Sequence, residues 1–112
     1  MIEKIVLDYL SSIVDVPVYM EVPEKNIPKK YILIEKIGSS MTNHIYNASI
    51  AIQSYADSLL EAAYLNDEVI KAMLDIVTLK EVSASNLNSD YNFTDTSTKQ
   101  YRYQALFDLV HY

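Results

Sequence analysis

Residues 44–77, HIYNASIAIQSYADSLLEAAYLNDEVIKAMLDIV, contain the change of period that decides the fold. From His44 to Tyr55 the chain alternates. Tyr46, Ala48, Ile50 and Ile52 point one way, while Asn47, Ser49 and Gln53 point the other, the period-two pattern of a strand with one buried face. From Asp57 to Val77 the spacing changes to three and four, with Leu59, Ala62, Ala63, Val69, Ile70, Met73, Ile76 and Val77 forming an apolar stripe that Asn66 interrupts. Ser58-Leu59-Leu60-Glu61 fits a capping box, in which the Ser hydroxyl and the Glu carboxylate each satisfy a free N–H at the helix start. Asp57 is an alternative cap.

Working outward, Tyr31 to Ile37 reads as a strand rich in β-branched and aromatic residues, joined to the next by Gly38-Ser39-Ser40-Met41-Thr42-Asn43. The pair is expected to form an antiparallel hairpin with a mobile tip. Upstream, Ile2, Ile5, Val6, Tyr9, Leu10 and Ile13 lie on one face of a first helix. Asp15-Val16-Pro17 ends it, because a proline drives the preceding residue out of helical geometry. A short extended piece, Val18 to Val22, leads into residues 23–30, a loop with two prolines and three lysines. Downstream, Val82 to Phe93 and Lys99 to Val110 read as a long hairpin around Asp95-Thr96-Ser97-Thr98. The order α-β-β-β-α-β-β, with one apolar stripe on each helix, predicts a single α+β domain over residues 1–112. The expected form is a two-layer sandwich, a mostly antiparallel sheet with both helices packed on one face.

Composition narrows the function. The chain has 112 residues, one glycine, ten tyrosines, no cysteine and a net charge of −6. Phosphate-cradling loops need several glycines, so Gly38 alone supplies neither a P-loop nor a dinucleotide fingerprint. Without cysteine there is no disulfide, thiolate zinc site or thiol nucleophile. No apolar run reaches the ~18 residues of a membrane span, and the N-terminal residues lack the apolar stretch of a signal peptide. The expectation is a soluble, intracellular protein without membrane contact. Residues 57–81 hold six acids against two lysines, a net −4 of the total −6. That face is expected to meet solvent or, as the sharper alternative, to repel DNA or face a basic partner. Arg102 is the only arginine, which argues against a grip on phosphate backbones.

Catalytic and metal signatures are lacking. His44 and His111 sit on expected strands without converging ligands or a paired nucleophile, and a G-x-S-x-G elbow cannot form with one glycine. Asp90-Tyr91-Asn92-Phe93-Thr94-Asp95 faintly resembles a calcium loop but lacks the turn glycine and closing glutamate. No enzyme activity, cofactor or metal is expected. The aromatic residues of the C-terminal hairpin stand out instead. On simple alternation Leu87, Tyr91 and Phe93 share one strand face, and Tyr101, Tyr103, Ala105, Phe107 and Leu109 share one face of its partner. They cover the domain's own core or, where the long hairpin overhangs it, dock on another subunit. Tyr91, Phe93, Tyr101 and Tyr103 are the subunit-contact candidates.

A family resemblance runs over almost the whole chain. Val16-Pro17-Val18-Tyr19-Met20-Glu21-Val22-Pro23 followed by Tyr31-Ile32-Leu33-Ile34-Glu35-Lys36-Ile37-Gly38 is similar to the start of small tail proteins of long-tailed bacteriophages and of prophages in Gram-positive bacteria. So are Ala48-Ser49-Ile50-Ala51-Ile52-Gln53-Ser54-Tyr55-Ala56 leading into Glu61-Ala62-Ala63, and Leu87-Asn88-Ser89-Asp90-Tyr91-Asn92-Phe93 leading into Lys99-Gln100-Tyr101-Arg102-Tyr103-Gln104. These resemble the tail terminators and related head–tail joining, or minor tail, proteins. The resemblance implies an α+β virion subunit, made in the host cytoplasm, that forms a hexameric ring. Such a ring caps the tail tube built of the major tail protein, ends its polymerisation and meets the head connector or head-closure protein. DNA passes through its lumen without specific binding, and residues 23–30 and 38–44 are the loops suited to rearrange on docking. A small-molecule- or peptide-binding regulatory α+β domain is the alternative.

Overall fold

The computed structural model describes residues 1–112 as eight elements. Helix α1 spans Ile2–Ile13, followed by β1 (Val18–Tyr19), β2 (Tyr31–Thr42), β3 (Ile45–Ala56), α2 (Leu59–Leu74), a 3-10 turn (Ile76–Thr78), β4 (Val82–Asn92) and β5 (Tyr101–His111). The strands form one five-stranded sheet in the order β1-β2-β3-β5-β4, antiparallel except for the β1–β2 pair. No helix is long and apolar enough to cross a membrane.

Both helices pack on one side of the sheet, as their single stripes require. Helix α1 buries Ile2, Val6 and Leu10, and α2 buries Ala62, Leu65, Val69, Ala72 and Met73. They close over Ile32 and Ile34 of β2, Ala48, Ile50 and Ile52 of β3, and Ala105, Phe107 and Leu109 of β5, in one continuous core. Tyr9 bolts the helices together, its hydroxyl donating to the Ala72 carbonyl at 2.6 Å. Ser58 is the α2 cap, its hydroxyl accepting from the Glu61 N–H at 3.2 Å, while Asp57 stays outside the helix. Leu59 and Val77, expected in the stripe, are exposed; Leu65 and Ala72 take their places. Asn66 is buried on the stripe because its side chain reaches β4, donating to Asp90 at 2.9 Å.

Two features depart from the sequence reading of the first hairpin. Residues Gly38 to Thr42 are strand, not a mobile tip, since β2 runs to Thr42 in register with β3. The turn is only Asn43-His44, with φ of 51° and 65°. Positive φ at both central residues is the type I′ signature, the turn whose twist matches a two-residue hairpin. Residues 38–42 therefore cannot serve as a loose docking loop. The extended piece read over Val18 to Val22 is also shorter, as only Val18 and Tyr19 pair with β2. The twelve-residue strands β2 and β3, at about 3.3 Å per residue, span roughly 40 Å, close to the 45 Å long axis of the molecule.

Candidate subunit-contact surface

The side of the sheet away from the helices carries no covering layer, and register decides what it displays. Tyr31 pairs with Tyr55, and Tyr55 with Arg102, whose carbonyl accepts from the Phe93 N–H at 2.9 Å. These side chains form a row across one end of the sheet. Tyr19 meets Tyr31 edge to face at 6.0 Å, Tyr31 stacks on Tyr55 at 4.4 Å, and the Arg102 guanidinium lies 5.7 Å from the Tyr55 ring and 4.5 Å from that of Phe93. Aromatic stacking and cation–π attraction act together along the row.

A second row lies beside it. Arg102 Nη1 donates to the Tyr55 hydroxyl at 3.1 Å, which donates to Gln53 Oε1 at 2.6 Å; Gln53 Nε2 donates to Gln104 Oε1 at 2.8 Å, and Gln104 Nε2 donates to the Tyr91 hydroxyl. Gln53, Tyr55 and Gln104 are buried although no helix covers them. Each screens the next, and the chain of bonds satisfies polar groups that burial would otherwise leave unpaired.

The four expected contact residues do not form one patch. Bulges in β4 lie between Val82 and Ala84 and between Leu87 and Ser89, and the second reverses the alternation beyond it. Leu87 faces the helix side with Phe107, whereas Tyr91 pairs with Gln104 on the uncovered side. Asp90, between them in alternation, bonds Asn66 of α2, which fixes the same assignment. Tyr91 and Phe93 stay together edge to face at 5.9 Å, exposed by 40% and 38%. Tyr101 and Tyr103 pair with Ala56 and Ser54 on the helix-covered side and are half-buried. Overhang also fails for this hairpin. Strand β5 is paired with β3 from Tyr101 to His111, so its length is used inside the sheet.

The exposed apolar residues missed by the sequence reading lie at the other end. Ile37 and Met41 are each 55% exposed, and Ile45, Tyr46 and Tyr112 are exposed near them. Tyr46 stacks on His111 at 5.4 Å, and both border a shallow recess with Met1 and Tyr112. Reading 38–43 as a tip removed Met41 from any face, while alternation put Tyr46 with Ala48, Ile50 and Ile52 on the buried face, where the structure leaves it exposed beyond the core.

The chemistry-bearing residues are dispersed. No group of three or more His, Asp or Glu side chains is arranged to hold a metal ion. Asp90 is engaged by Asn66, while Asp95 accepts from the Ser97 N–H and hydroxyl in the turn. Those bonds, with others from Thr98, hold the Asp95 carboxyl below its ordinary pKa. A cleft of about 510 Å3 separates residues 27–29 from residues 98–101, with Tyr31 and Tyr55 on its wall. On α2 the acids Glu61, Asp67 and Glu68 are exposed, and Asp75 follows at its C-cap. The fold and surface define a two-layer α+β domain with one uncovered sheet face. Compared with known proteins, the chain matches no protein-family model and no curated protein sequence.

Proposed function

We propose that the chain is a structural subunit of a phage or prophage tail, a tail-terminator-like protein whose copies close into a hexameric ring. The ring caps the tail tube, stops its growth and offers its outer end to the head connector. The observation that carries this reading is the set of apolar or aromatic side chains left exposed at both ends of the sheet: Tyr91 and Phe93 at one, Ile37, Met41, Ile45 and Tyr46 at the other. Side chains of that kind outside a complete core are suited to contact with other subunits. They add to the resemblance of residues 16–23, 31–38, 48–56 and 87–104 to tail proteins of this type.

DNA sliding through the lumen fits the charge. Arg102 is stacked between Tyr55 and Phe93 and donates Nε to the Phe93 carbonyl at 2.7 Å, so the one guanidinium is committed inside the protein. The net charge of −6 weakens phosphate contacts further. Deletion of the gene from its phage is expected to give tails of unregulated length that fail to join heads, scored by electron microscopy. Normal tail lengths with a normal yield of joined particles rule the reading out.

The cleft beside Tyr31 favours a second reading, a peptide- or small-molecule-binding regulatory domain. Its lining mixes Lys29 and Lys99 with Asp57 and Asp95. The deletion experiment separates the two, because a regulatory domain leaves assembled tails intact.

A further inference from the structure

We propose that copies of this chain join edge to edge, the outer edge of β4 in one copy adding antiparallel to the free half of β2 in the next, so that the sheet continues from subunit to subunit. The inference rests on the ring reading and names its lateral contact. Strand β1 pairs with β2 only at Ile32 and Leu33, which leaves Ile34 to Thr42 without a partner on that side. Strand β4 is the opposite margin of the sheet, with β5 on one side and nothing on the other. Two bare edges on one sheet are templates for strand addition. Neither carries a proline, the three being Pro17, Pro23 and Pro28, and β4 carries no lysine.

Polarity and face both match. Strand β2 runs opposite to β3, β3 opposite to β5, and β5 opposite to β4, so β4 runs opposite to β2. A neighbour rotated about an axis along the strands therefore brings β4 antiparallel to β2, with the helices of every copy on the same side. Bulges interrupt both edges, at Ile37 and at Ser83 and Asn88, and the continuous stretches left nearest one another in character are Gly38–Thr42 and Ala84–Leu87. In the register that sets Ser40 opposite Asn86, Met41 and Leu87, both exposed in the single chain, face the helix side and meet diagonally across the seam. Small or polar residues, Ser40 against Asn86 and Thr42 against Ala84, occupy the uncovered side. A two-fold contact of β2 with a second β2 is also antiparallel, but it leaves both β4 edges bare and stops at a dimer. The head-to-tail contact uses both edges of every copy, as a closed ring requires.

The chain has no cysteine, so disulfide trapping has no background. Ser40→Cys is combined in turn with Ala84→Cys, Asn86→Cys and Ser89→Cys, and each full-length protein is oxidised and run without reductant. At least one pair is expected to give a ladder at multiples of 12.8 kDa extending beyond the dimer. Met41→Lys in the same background is expected to reduce the ladder at least tenfold while leaving the melting temperature of the monomer unchanged. Dimers alone, formed also by Ser40→Cys without a second cysteine, indicate the two-fold contact and overturn the proposal. Rings seen by native mass spectrometry of the unmodified chain, with no ladder from any pair, overturn it but leave the assembly reading standing. Monomers under every condition overturn it as well, and normal tails after gene deletion then remove the assembly reading separately.

Discussion

Tyr31 lies at the end of a stack in which burial and the neighbouring Tyr55 raise its pKa above the ordinary value of 10.0, opposed by Arg102 and a hydrogen bond with the Gln100 side chain. Tyr9 is raised too, first by burial and then by the Asp75 charge. A phenol whose pKa is higher folded than unfolded binds its proton more tightly in the native state. Its contribution to stability is complete below the unfolded pKa of about 10 and is lost as the pH rises through the folded value. Thermal unfolding followed from pH 8 to 11.5 should show the melting temperature falling above pH 10, with a shallower fall in the Tyr9→Phe/Tyr31→Phe double variant. An equal slope in both proteins would show that neither phenol carries the effect. Ser54 and Asn66 show why such sites escape a sequence reading. The Ser54 hydroxyl and Asn66 Oδ1 are buried without partners, and Asn66 is held by Asp90 from 24 residues away. Local spacing puts both on a buried face, Ser54 two residues after Ile52 and Asn66 within the α2 stripe, but it gives no sign of what their polar atoms meet there.

Elements were readable where two signals agreed. The shift of period at Ala56 separates β3 from α2, and the Ser58 cap sits where the capping box placed it. The reading failed where one residue changed the phase. Gly38, Ser39 and Ser40 have the composition of a loop, yet their strand geometry is imposed by pairing with Ser49, Ala48 and Asn47, which is non-local. The bulge between Leu87 and Ser89 moved Tyr91 and Phe93 to the opposite face from Leu87, and alternation alone cannot show a bulge. The hairpin turn itself makes a local prediction. His44 adopts φ of 65°, a left-handed conformation in which a Cβ is unfavourable. His44→Gly creates the Asn-Gly pair that type I′ turns prefer and is expected to stabilise the fold by about 0.5–1 kcal/mol, a rise in melting temperature of about 2–4 °C. Asn43→Ala should act in the opposite direction, because alanine tolerates positive φ less well than asparagine. A drop in stability for His44→Gly would mean that the His44 side chain contributes more than its backbone strain costs.

On the scale of the molecule, charge and contact surface are separated. The helices lie on one side of the sheet, with Glu61, Asp67 and Glu68 exposed on α2, while the stretches proposed to pair, Gly38–Thr42 and Ala84–Leu87, carry no charged residue. Copies joined by backbone hydrogen bonds and by Met41 against Leu87 therefore gain little from ion pairs, yet each brings a net charge of −6 toward its neighbours. Salt shortens the reach of that repulsion, from a Debye length of about 10 Å at 0.1 M to about 3 Å at 1 M, and leaves the edge contact almost untouched. Assembly should consequently tighten as sodium chloride is raised from 0.05 to 0.5 M, with an expected fall in the dissociation constant of about tenfold, measured by sedimentation velocity across a concentration series. An interface held by charge pairs, with Lys36 of β2 reaching to Asp90 of a neighbour, would loosen over the same range. The sign of the salt dependence thus distinguishes a continuous sheet from a charge-matched contact, without knowledge of which end of the ring meets the tube.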